Sequence, residues 1–155
     1  MLDRDYPDQV CSIARALEVV GQRWSLLIIR DVFLGRNRFD ELCASTRITR
    51  SVLTDRLNHL VEHGVLSRQR YQTRPERFEY HLTEKGCALQ PVIAQLLLWG
   101  DRYYSESDGP PLLLEHRNCG GHPQDHLRCD RCDEALTVRD LEARFTAGRR
   151  AGVLG

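Results

Sequence analysis

Residues 35–86 read GRNRFDELCASTRITRSVLTDRLNHLVEHGVLSRQRYQTRPERFEYHLTEKG, from Gly35 to Gly86. The spacing of apolar residues divides the stretch into helix, turn, helix and hairpin. In its middle, Leu53, Leu57, Leu60 and Val61 recur at intervals of three and four, the period of one helix face. Thr49 stands where a hydroxyl accepts a free N–H of the first turn, and Ile48 where it can staple onto Leu53. Gly64, after His63, supplies the left-handed position that ends the helix. The opposite face carries Ser51, Asp55 and Asn58 near its centre, Thr54 beside them, and Arg47 and Arg50 at the N-terminal end. Short polar groups of this kind reach base edges and arginines grip phosphates or guanine. A solvated helix face is the plainer alternative.

The residues after this helix favour DNA. Val65–Tyr71 and Phe78–Leu82 have strand character, with Phe78, Tyr80 and Leu82 alternating, and Gln72–Arg77 between them is a turn marked by Pro75. The hairpin carries Arg68, Arg70, Arg74 and Arg77 against Glu76 and Glu79, a basic ribbon suited to phosphates or a minor groove. Upstream, Asn37 is placed to cap a short helix whose apolar stripe is Phe39, Leu42 and Cys43, with Asp40 and Glu41 at the positive end of its dipole. That helix braces the next one, and Arg36 and Arg38 at its start can reach phosphates. The fold class is therefore mainly α with a small β-hairpin wing, a winged helix-turn-helix, followed by a Cys/His-rich C-terminal extension.

The blocks Cys11–Trp24, Leu34–Leu42, Ile48–Leu57 and Pro75–Gly86, in this order, resemble the HxlR family of bacterial transcriptional regulators over residues 10–104. The resemblance implies a MarR-like winged helix working as a homodimer. Together with the polar helix face and the basic wing, it makes Arg36, Arg38, Arg47, Thr49, Arg50, Ser51, Thr54, Asp55, Asn58, Arg74 and Arg77 the candidate DNA contacts. Cys11 matches a cysteine that in several relatives senses quinones, hypochlorite or disulfide stress. Read from its own position, Cys11 lies at a helix start where the dipole favours the thiolate, and a small buried packing residue is the alternative. Cys43 and Cys87 read as core fillers.

Charge is distributed to match. The whole chain of 155 residues has a formal net charge of zero, yet residues 23–80 hold 11 arginines against 7 acidic residues, a local +4. The proposed reader is the basic segment, while the chain as a whole does not invite nonspecific nucleic-acid binding. No 18-residue apolar run is present, and the first ten residues, MLDRDYPDQV, lack the apolar core of a secretory signal. A cytoplasmic protein with no membrane association is expected, in which cysteines serve as thiols, ligands or sensors rather than as a disulfide framework.

The flanking helices say how the reader is mounted. Val10, Ile13, Ala14, Leu17 and Val20 make an amphipathic helix ending at Gly21. Trp24–Leu34 is apolar on nearly all sides and is expected to lie buried between neighbours. After the wing, Leu89, Val92, Ile93, Leu96, Leu97, Trp99 and Tyr103 form a wide stripe on a helix that Pro91 either kinks or begins. So wide a stripe suggests a dimer interface, and two-fold symmetry predicts a palindromic double-stranded operator. Residues 1–104 are read as the DNA-binding and dimerisation domain, 105–111 as a linker, 112–146 as the extension and 147–155 as a flexible tail.

In the extension, His116-x-x-Cys119 and Cys129-x-x-Cys132 are separated by nine residues and resemble the paired turns of a small zinc knuckle, with His122 or His126 as substitutes for His116. Reduced thiols and a disulfide are the alternatives. Leu136–Phe145 is expected to form a final strand or short helix. Cys129 and Cys132 as a thiol-redox enzyme pair would need a strand and long helix around them, and no such pattern exists. The sequence thus points to a homodimeric, sequence-specific regulator, a repressor, responsive to an oxidant or small-molecule effector and not an enzyme. A winged-helix protein-interaction module is the alternative, against which the polar helix face and basic wing argue.

Overall fold

A computed structural model describes residues 11–124, 127–136 and 138–141. Contacts divide the chain into two compact units, Met1–Ile93 and Ala94–Gly155, so the division falls inside a helix.

The first unit begins with α1 (Ser12–Val20), followed by α2 (Ser25–Phe33), α3 (Phe39–Thr46) and α4 (Arg50–Glu62). A two-stranded antiparallel sheet of β1 (Leu66–Thr73) and β2 (Glu76–Leu82) comes next, then one turn of helix, α5 (Glu84–Cys87). Residues from every large element meet in one core: Val20 of α1, Ile28, Ile29 and Val32 of α2, Leu42 of α3, Leu53, Leu57 and Leu60 of α4, and Leu66 and Tyr80 of the sheet. Full burial of each Leu or Ile contributes about 1.5–3 kcal/mol, so the three α4 leucines dominate what holds that helix in place. The apolar spacing of α4 is thus borne out, as are the cap at Thr49, whose hydroxyl accepts from the Val52 N–H, and the left-handed Gly64, with φ of 67°.

Several local expectations are corrected. Asn37 does not cap α3; Arg38 occupies that position, and the Glu41 carboxylate reaches back to accept from the N–H groups of Asn37 and Arg38 at 3.0 and 2.9 Å. A carboxylate one turn in satisfies two orphan donors at once, so no cap side chain is needed. The hairpin strands run farther than Gln72 and Arg77, pairing Gln72 with Arg77 and Thr73 with Glu76, so the turn shrinks to Arg74 and a cis Pro75. A bulge at Tyr71 shifts the register between Arg70 and Gln72 and lets polar residues continue the ladder. α2 is not buried on all sides: Leu27 and Leu34 are open to solvent, and Asp31, wholly buried, sits among its apolar residues. One Asp31 oxygen takes the guanidinium groups of Arg30 at 2.8 Å and Arg36 at 3.5 Å, which offsets the burial of its charge, while the other oxygen has no hydrogen-bond partner among the described residues. Cys43 packs against the core as expected, but Cys87 is exposed rather than a filler.

Gly86 in α5 is locked by close approach. A Cβ there would collide with the Val65 carbonyl oxygen, so only glycine lets α5 seat against the start of β1.

The second unit contains most of α6 (Gln90–Tyr104), which Pro91 begins rather than kinks. No residue of α6 is buried; Val92, Leu96, Trp99, Tyr103 and Tyr104 are exposed. Beyond it lie a two-residue hairpin, β3 (Leu127–Arg128) paired with β4 (Ala135–Leu136), and a 3₁₀ turn at Val138–Asp140. The expected final element thus resolves into β4 and that turn; its continuation to Phe145, the tail at 147–155, Val10 and His126 lie outside the described residues. Among the described residues no helix is long and apolar enough to cross a membrane.

Candidate nucleic-acid interface

α3, the turn Arg47-Ile48-Thr49 and α4 form the helix-turn-helix. Arg47 adopts the left-handed conformation, φ of 56°, that reverses the chain between the helices, and buried Ile48 anchors the reversal. With Leu53, Leu57 and Leu60 facing the core, Ser51, Thr54, Asp55 and Asn58 are all exposed, so the polar face lies where the helical period puts it. The Thr54 hydroxyl donates to the Arg50 carbonyl at 2.8 Å, which leaves its lone pairs outward. Thr49 is partly committed to its cap and stands 3.3 Å from the Ser51 hydroxyl.

The arginines fall into two groups. Arg50 pairs with Asp40 at 2.9 Å and stacks over Phe39, tying α4 to α3. Arg38 donates to Glu79 at 3.0 Å and lies over the Tyr71 ring, and Glu79 holds its guanidinium still more firmly protonated. This pair reinforces the backbone link from the Tyr80 N–H to the Asn37 carbonyl, 2.8 Å, that docks the wing on the start of α3. Arg70 pairs with Glu76 across the hairpin and Arg68 stacks on Phe78. By contrast, among the described residues the exposed Arg47, Arg74 and Arg77 have no ion-pair partner. Unpaired guanidiniums at the start of the reading helix and at the tip of the wing are available to phosphates without breaking an existing pair. Tyr80, beneath the wing, is pushed up in pKa by burial, partly opposed by Arg68, which leaves it a neutral core residue at ordinary pH.

Sequence reasoning missed a third face of α4. Arg56 donates through Nε to the Arg23 carbonyl at 3.2 Å and through a terminal nitrogen to the Gln22 side chain at 2.5 Å. His59 Nε2 lies 3.0 Å from the Val19 carbonyl in the last turn of α1, where helix carbonyls lack the donor of a following turn. The signal available in sequence was weak, an Arg and a His one turn apart between the apolar and polar faces.

Cys11 occupies the N-cap of α1 and is half-buried. The backbone N–H groups of Ala14 and Ile13 lower its thiol pKa, favouring the thiolate. In the second unit, His116 Nδ1 lies 3.1 Å from Cys119 Sγ, and the N–H groups of Arg131 and Cys132, with the Cys132 thiol, lower the pKa of Cys129. Among the described residues no three His, Cys, Asp or Glu side chains are grouped to hold one metal ion. His122 turns instead to the Leu114 carbonyl, 3.0 Å away.

The HxlR-like helix-turn-helix family matches residues 19–108. An uncharacterized HTH-type transcriptional regulator of Mycobacterium tuberculosis, Rv3095, is 45% identical over 130 residues, 84% of this chain and 82% of the relative. Among solved structures, PA1607, described as a candidate transcription factor, superposes with a TM-score of 0.78 at 34% identity, covering 87% of this chain and 94% of that one. The redox regulator HypR, in its oxidized form, is 31% identical with a TM-score of 0.58, covering 62% of this chain and all of that one. A polar reading helix braced by α3 and flanked by a basic wing, in a chain that shares this fold and sequence with such regulators, makes the protein a member of the HxlR-like helix-turn-helix family: a DNA-binding transcriptional regulator and not an enzyme.

Proposed function

We propose that the protein is a homodimeric cytoplasmic repressor that reads a palindromic operator and releases it when Cys11 meets an oxidant or electrophile. The observation that carries the DNA reading is the exposed quartet Ser51, Thr54, Asp55 and Asn58, together with Arg47, Arg74 and Arg77, which have no ion-pair partner among the described residues. The quartet contacts base edges; Arg47, Arg74 and Arg77 set the register on phosphates. Arg36, Arg38, Thr49 and Arg50 approach the backbone from the α3 side, restrained by the partners they already have. The exposed stripe Val92, Leu96, Trp99 and Tyr103 on α6 supports pairing of two chains, and Ile13 and Leu17 of α1 add a second open apolar surface. The cap position of Cys11, and the redox role in the name of HypR, support the effector assignment.

The test is a mobility-shift titration with the protein's own upstream DNA across salt concentrations. Arg74→Ala weakens binding to specific and random DNA alike and reduces the salt slope by about one. Asn58→Ala instead relaxes preference at one base pair by about 1–3 kcal/mol. A wild-type protein with no salt-dependent shift would favour the interaction module over the DNA reader. Equal losses of specific and nonspecific affinity in Asn58→Ala would mean that the reading face is oriented differently.

A further inference from the structure

The second unit has turns without a core. Among the described residues the buried apolar side chains end at Tyr80, while Leu113, Leu127 and Leu141 are 50–58% exposed. A hairpin of two residue pairs is far too small to hold itself in water. Segments of this size are ordered by a staple, a disulfide or a metal, and all six cysteines are free thiols.

Two of those turns share a geometry. In His116-Arg-Asn-Cys119 the His116 carbonyl accepts from the N–H groups of Cys119 and Gly120, and Gly120 takes a left-handed φ of 70°. In Cys129-Asp-Arg-Cys132 the Cys129 carbonyl accepts from the Asp133 N–H, and Asp133 is left-handed at 57°. Each turn therefore places a ligand type at its first and fourth positions and a left-handed residue directly after. Within the first turn, a Cβ on Gly121 would come within 3.3 Å of Cys119 Sγ, so a glycine there keeps the sulfur uncrowded. The His116 Nδ1–Cys119 Sγ separation is 3.1 Å, against about 3.6 Å for the N–S edge of a tetrahedron built on zinc–nitrogen and zinc–sulfur bonds. A movement of half an ångström opens it.

We propose that His116, Cys119, Cys129 and Cys132 bind one structural zinc ion, closing two preformed turns into a single tetrahedral knuckle with three sulfurs and one nitrogen. The two turns are not yet grouped around one point among the described residues. The nine residues from Gly120 to Arg128 can span up to about 30 Å, so reach does not prevent closure. Binding and closure are then one event, with metal affinity supplying the order that burial does not. Four protein ligands leave no open position, so the site is structural rather than catalytic.

The experiment is metal analysis of the full chain purified under reducing conditions from zinc-supplemented cells and exchanged into metal-free buffer. About one zinc per chain is expected. Cobalt substitution should give the visible bands of a tetrahedral ion with sulfur-to-metal charge transfer. Cys129→Ser, Cys132→Ser and His116→Ala should each lower metal content severalfold, while the salt-dependent DNA shift persists as evidence that the first unit remains folded. Less than about a tenth of a zinc per chain, or full zinc retention in Cys132→Ser, would overturn the proposal. So would a thiol titration of the denatured, metal-stripped chain that finds four free thiols rather than six, since the staple would then be a disulfide.

Discussion

At Cys11 a single side chain joins chemistry to helix geometry. The N–H groups of Ala14 and Ile13 that lower its pKa are orphan donors of the first turn of α1, and their dipoles favour the thiolate although Cys11 makes no side-chain cap hydrogen bond. Lowering the folded-state pKa enlarges the thiolate fraction near neutral pH and shifts alkylation toward lower pH. The midpoint of iodoacetamide modification, followed peptide by peptide, should therefore lie lower for Cys11 in the folded chain than in urea. Identical midpoints would remove the basis for Cys11 as a sensor. The position itself was legible, because Ser12–Val20 is plainly a helix beginning after it. Asp31 was not: its neighbours Ile28, Ile29 and Val32 mark a buried flank, and nothing local says that Arg30 and Arg36 will both turn toward it. Pairing of that kind depends on tertiary approach rather than on periodicity.

Among elements, α4 was legible almost residue by residue, because three leucines at helical spacing, a hydroxyl cap and a terminal glycine agree with one another. The wing was less so. Five polar residues and a proline between two runs of strand character look like a loop, yet Gln72, Thr73, Glu76 and Arg77 all pair in the ladder, since an exposed hairpin tip needs backbone hydrogen bonds but no apolar side chains. The junction between α4, wing and α5 hangs on Gly86. A methyl group there meets a backbone carbonyl that has no rotamer to escape into, so Gly86→Ala should destabilise the chain by about 1–3 kcal/mol in urea unfolding. Gly100→Ala, in α6 with open space around it, should be neutral or stabilising by up to about 1 kcal/mol. Equal effects would mean that the α5 contact does not hold the wing in place.

For the whole molecule, the aromatic and aliphatic residues Val92, Leu96, Trp99 and Tyr103 of α6 stand exposed. On the proposed homodimer, replacing Leu96 with Glu and Trp99 with Ala should shift sedimentation from dimer to monomer, and loss of the second half-site contact should reduce apparent DNA affinity by about a hundredfold or more; a wild-type chain that sediments as a monomer would remove the dimer proposal. A dimer of unchanged stability would place the subunit contact elsewhere. The apolar stripe was visible in sequence; that Leu89 and Ile93 pack against the core while Val92, Leu96, Trp99 and Tyr103 stand open was not, because a pattern shows which face seeks cover and not who covers it.

Because Arg56 and His59 clasp α4 onto the end of α1, packing, clasp and reading residues occupy separate sectors of one helix. If Ser51, Thr54, Asp55 and Asn58 read DNA as proposed, they form an exchangeable cassette: they can diverge between paralogues, or be swapped by design to change the sequence bound, while the scaffold beneath them stays the same.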